Sequence, residues 1–157
     1  MIPGLDFGSD WATPAARLAA ALLAGAILGV NRDLHRKPAG LRTHALVSIG
    51  SATIVLVALA AAHGSTDAVS RVIQGLITGI GFLGAGVIIH HDAGQRVEGL
   101  TTAASVWVAA ALGAACGAGL AAIALLALVA TMLVLLFGGK IERAIEKRFL
   151  EDQPPPR

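Results

Sequence analysis

The chain has 157 residues, of which 55% are hydrophobic and only 14% charged, and it carries 19 glycines and no tyrosine. A soluble domain is typically about a quarter charged, so this composition excludes a soluble globular protein and fits an integral membrane protein. The net charge of +2 is modest and no nucleic-acid partner is expected, and the single cysteine, Cys116, has no partner for a disulfide and reads as a small packing residue.

In chain order, five apolar segments cover about residues 12–30, 43–62, 72–90, 100–116 and 118–137, each near the roughly 20 residues a helix needs to cross a bilayer. They predict an all-α membrane protein, a bundle of five transmembrane helices. Residues 1–137 form the membrane domain, and residues 138–157 a cytoplasmic amphipathic helix with a disordered tail. Asp6 and Asp10 stand before the first segment, where a cleavable signal would carry positive charge, so that segment reads as a retained helix. With the loops assigned alternately, ten of the twelve Lys and Arg residues fall on one side and only Arg17 and Arg71 on the other. The positive-inside rule then places the N-terminus outside and the C-terminus in the cytoplasm.

The first helix offers Ala21, Gly25 and Gly29 at four-residue spacing, a ridge along which another backbone can approach. Arg17 lies more than a turn inside this span, where a charge is costly unless paired. The expected partner is Asp10 or Asp67 in a buried ion pair. Asp67 and Arg71, four apart at the start of the third helix, share a helical face and can pair with each other. Arg17, Asp67 and Arg71 are therefore the expected outer-side ion pairs.

The third segment holds Gly79-x-Gly81-x-x-Gly84, the spelling of a dinucleotide-binding turn. That fingerprint requires a preceding strand and a βαβ unit, and here it lies in hydrocarbon, so no nucleotide is expected. At 100° per residue, Gly75, Gly79 and Gly86 fall within a sector of about 40°, with Gly81 and Gly84 on the opposite side. Both faces are thinned for helix packing, which predicts the third helix at the centre of the bundle. A broken helix lining an ion path is the rival reading. The fourth helix repeats the pattern with Thr101, Ser105, Ala109, Gly113 and Gly117, whereas the fifth is bulky and uninterrupted and is expected to face lipid.

Polar residues gather at the cytoplasmic helix ends: Arg32 and Asp33, then Arg42, Thr43 and His44, then Glu98, Thr101 and Thr102. These form the candidate functional cluster, with Arg42 and Glu98 expected to pair and lock the second helix to the fourth. His90, His91 and Asp92 invite a metal reading, but adjacent histidines diverge on a helix and a closed site lacks its remaining ligands. No metal or other cofactor is expected; Asp33, His91 and Asp92 are the only weak candidates. Nothing resembles a catalytic triad, a Cys/His pair or a phosphate-binding loop, so no enzyme is expected.

The stretches "RDLHRKPAGLRTHALVSIGS", "DAVSRVIQGLITGIGFLGAGVI" and "VEGLTTAASVWVAAALGAACGAGL", in this order, resemble the MgtC/SapB family of bacterial inner-membrane proteins. The family commonly has a Glu-Arg-Glu trio at the end of helix one, which here reads Asn31, Arg32, Asp33. Longer relatives carry a cytosolic ACT-like domain, so this chain resembles the short, SapB-like form. The resemblance implies a multi-pass protein of the inner membrane, links to magnesium limitation and virulence, and regulation of a partner complex such as ATP synthase. With few polar groups at mid-depth, the residues favour a regulator that packs against other membrane proteins, in a homo-oligomer or a partner complex. A cation (magnesium) transporter or channel is the alternative.

Overall fold

The computed structural model describes residues 11–62, 65–88 and 98–150, with side chains to residue 148. It contains five helices: α1 (Ala12–Leu34), α2 (Leu41–Ala61), α3 (Thr66–Val87), α4 (Leu100–Gly117) and α5 (Ala121–Leu150). All five contain a window long and apolar enough to cross a membrane. The chain is an all-α, multi-pass membrane protein.

Helix ends follow local chemistry. α3 begins six residues earlier than its apolar run because Ser65 caps it, accepting from the Ala68 amide at 3.4 Å, with Asp67 in the first turn, where an acid is favoured. α4 ends in a Schellman motif: the Gly119 amide donates to Cys116 O and the Leu120 amide to Ala115 O, both at 2.9 Å, with Gly119 at φ +80°. That left-handed position favours glycine. α1 closes in the same way without a glycine, with Arg36 at φ +52° and the Lys37 amide donating to Arg32 O at 3.0 Å. No break occurs at Gly138–Gly139. α5 continues for 30 residues, about 45 Å at 1.5 Å per residue, so the expected separate amphipathic helix is a continuation of the span.

α2 forms the centre, between α1 and α4, which also touch each other, while α3 packs on α4 and α2 and α5 on α4 and α1. Two glycine ridges explain the arrangement. A Cβ on Gly25 would lie 2.8 Å from Ser48 Cβ and 3.0 Å from Ala45 Cα, and one on Gly29 2.8 Å from the Leu41 nitrogen. From the other side, a Cβ on Gly113 would lie 2.8 Å from Ser48 Cα, and one on Gly117 2.9 Å from Ala52 Cα. Backbones thus meet where lipid supplies no hydrophobic driving force and close contact must do so. Ala21, Leu28, Ala52, Ala109, Leu112 and Cys116 fill the core along these seams.

The expectation that α3 is the centre is corrected. Only Ile80 and Gly84 of α3 are buried, through contact with Val106 and Ala110 and with Ala103 of α4. A Cβ on Gly75, Gly79, Gly81 or Gly86 would meet nothing within 4 Å. These four glycines, expected to pack helices together, pack against none of the described residues, because α3 offers its larger residues (Ile73, Leu76, Ile80) to the bundle and these four glycines to the outside.

Candidate functional site: the polar helix ends

Where α1 ends and α2 and α4 begin, the structure assembles a buried polar cluster. Asn31, Arg32, His44, Thr102 and Ser105 are all under a tenth exposed. Each lies near a helix end, and bonds of Arg32 and His44 cross from α1 and α2 to α4.

Asp33 serves α2. Its Oδ2 accepts from the Leu41 amide at 2.9 Å, and its carboxylate occupies the space that a side chain at residue 40 would fill. Gly40 is the N-cap and supplies no side-chain bond, so an acid from the preceding helix does the capping. This bond engages one of the three weak metal candidates; His91 and Asp92 lie outside the described residues. Among the described residues, no three of His, Cys, Asp and Glu converge as metal ligands.

His44 is fully buried. Its Nδ1 donates to Gly40 O at 2.9 Å, and its Nε2 lies 3.0 Å from Ser105 Oγ, whose single hydroxyl hydrogen is shared between Nε2 and Thr102 O, 2.8 Å away. A carbonyl can only accept, so Nδ1 carries the ring proton and Nε2 is the acceptor in the neutral ring. This pair, and not Arg42 with Glu98, ties α2 to α4. Arg42 and Glu98 are both exposed and form no ion pair with each other. The reason is rotational: residues 42 and 44 are about 200° apart around the helix, so turning His44 inward turns Arg42 out. Thr43 and Thr101 are also exposed.

Arg32 is 4% exposed and donates from Nη2 to Thr102 Oγ1 at 2.6 Å, tying α1 to α4. Its Nε, also buried, has no partner.

At the opposite end, the expected buried ion pair of Arg17 is replaced by a helix terminus. Arg17 Nη1 donates to Gly117 O at 3.0 Å, and a Cβ on Gly119 would lie 2.7 Å from its Nη2. A cation on the last carbonyls of α4 meets the negative end of that helix. Asp67 and Arg71 are exposed and form no pair with each other; Asp10 lies outside the described residues.

The structure also buries two hydroxyls that the sequence reading passed over. Ser48 donates to Ala21 O at 2.7 Å and Ser51 to Val47 O at 2.8 Å. His44, Ser48 and Ser51 stand at positions i, i+4 and i+7, one helical face, and that spacing is the signal that marks them. The Ser105, Ala109, Gly113 ridge of α4 is likewise buried, spent on α2 rather than left open as an outward docking surface.

The chain matches the MgtC family over residues 18–144. It is 42% identical over 144 residues to Protein SrpB of Synechococcus elongatus, covering 85% of this chain and 79% of that one. It is 44% identical over 102 residues to Protein MgtC of Salmonella typhimurium (65% of this chain, 42% of the relative). To Protein MgtC of Brucella abortus it is 45% identical over 106 residues (68% and 43%). The match thus spans most of SrpB but under half of either MgtC protein. No solved structure matches the chain.

Proposed function

The chain belongs to the MgtC family, and from that premise we propose that it is a membrane-embedded regulator of the bacterial inner membrane that acts by packing against another membrane protein. In this reading the N-terminus is outside and α5 delivers the C-terminus to the cytoplasm, in line with the basic residues gathered at that side.

The observation that carries the proposal is the outward face of α3. Gly75 and Gly79 form a small-xxx-small pair with open space where a Cβ would be, the feature that lets spans associate. Gln74, near mid-helix, and Phe82 are both exposed. An amide facing lipid leaves donors and acceptors unpaired, and a partner helix would satisfy them.

Ion conduction is less well supported by the interior. The buried hydroxyls of Ser48, Ser51 and Ser105 already bond to carbonyls, and glycine seams bring the backbones together between them. Arg32, the one buried charge among the described residues, would repel a cation. A path needs groups free to replace a hydration shell.

The test is reconstitution. The purified protein in sealed liposomes should carry no magnesium or proton flux above empty vesicles, and added to inverted membranes it should change the activity of a partner. The family resemblance makes ATP-driven proton pumping the first activity to assay. Gly79→Leu and Gln74→Leu should abolish the effect while the protein stays folded. Saturable cation flux, or a full effect from both variants, would overturn the reading.

A further inference from the structure

We propose that the first turn of α4 and the buried Arg32 guanidinium form a binding site for a phosphate group. The two long helices that begin at this end are finished differently. α2 receives the Asp33 carboxylate. α4 is not capped in this way: Gly99, at φ +93°, supplies no side-chain cap, and among the described residues no acceptor meets the amides of Leu100, Thr101 and Thr102. The three first-turn amides and the positive end of an 18-residue helix make a ready place for an oxyanion.

The second observation is independent of the helix. Arg32 is 96% buried, yet among the described residues it has no carboxylate partner and its Nε has no hydrogen-bond partner. Its guanidinium touches the same first turn, through Thr102 Oγ1 at 2.6 Å. A buried cation beside the positive end of a helix is a costly arrangement unless an anion joins it. Among the described residues the acids at this end do not: Asp33 is engaged on α2, and Glu98 is exposed and forms no ion pair. The Nε edge of a guanidinium is one half of the fork that takes phosphate oxygens two at a time. Leu100 and Thr101 are exposed, so this turn lies at the surface, with the enclosed Arg32 guanidinium held against it through Thr102. Arg36, Lys37 and Arg42 are exposed at the same end and raise the local concentration of anions.

These are helix ends, level with lipid headgroups, so the phosphate comes either from an anionic phospholipid or from free phosphate. The experiment separates the two. The full chain in a maltoside detergent is melted in sodium phosphate and in sodium chloride at equal ionic strength. It is melted again in nanodiscs of phosphatidylcholine with and without phosphatidylglycerol. A ligand at ten times its Kd should raise the midpoint by roughly 3–6 °C. A rise in phosphate identifies the free anion as a ligand, and a rise only with phosphatidylglycerol identifies the lipid.

Two variants tie the effect to the site. Thr101→Asp places a carboxylate in the first turn, so it should melt at or above the wild-type temperature and lose the response. Arg32→Lys keeps the charge but loses the fork, and should raise the apparent Kd about tenfold. Equal midpoints in both salts and both nanodisc compositions, or an undiminished response in Thr101→Asp, would overturn the proposal.

Discussion

Two glycine patterns of the same spelling have opposite fates in this molecule. On α1 and α4, Gly25, Gly29, Gly113 and Gly117 lie against the backbone of α2, with no room for a methyl group. On α3, Gly75, Gly79, Gly81 and Gly86 face open space. Four-residue spacing of small residues therefore reports a capacity for close approach, while the arrangement of helices decides whether the chain itself uses it. In α1 and α4 it is spent on folding; in α3 the described residues leave it unused.

The comparison is broken most directly on the α2 seams. Gly25→Ala and Gly113→Ala should each cost about 1–3 kcal/mol, the usual penalty of overpacking, read as a lower melting midpoint in detergent. Gly79→Ala should leave the midpoint unchanged. A smaller loss is expected at the α4 terminus. Gly119→Ala forces a side chain into the left-handed region at φ +80° and onto the Arg17 guanidinium, which should cost about 1–2 kcal/mol.

The polar ties rank below these. Ser105→Ala leaves His44 Nε2 without its partner and should cost about 1 kcal/mol, within the range of hydrogen bonds between membrane helices. Arg42→Ala and Glu98→Ala, both exposed, should each stay within about 0.5 kcal/mol of wild type. A larger loss at Arg42 or Glu98 would revive the pair that the structure does not form.

The spans were legible because hydropathy over about 20 residues is a property of composition alone, as were the packing ridges of α1 and α4. What escaped was phase and topology. Sequence placed Arg42 and His44 together at a helix end, but only the rotation of α2 against its neighbours decides which of them is buried. Arg17 was recognised as a charge in need of a partner. The partner is a backbone carbonyl, Gly117 O, which no search for acids can find, although the Gly117-Ala118-Gly119 stop signal marks where α4 had to end. Ser48 and Ser51 share a face with His44 and were open to the same helical arithmetic that found the glycines. The centrality given to α3 was an error of topology: its glycines mark close approach without naming the neighbour.

The central claim, that α2 is the packed centre and the glycine face of α3 is free, is tested by melting Gly113→Leu and Gly79→Leu beside wild type in one detergent. Leucine at 113 has to displace the backbone of α2, so its midpoint should fall by roughly 6–12 °C, the equivalent of about 3 kcal/mol. A Cβ at 79 meets nothing within 4 Å among the described residues, so leucine there should melt with wild type. Comparable losses in the two variants, or a larger one at 79, would contradict the account.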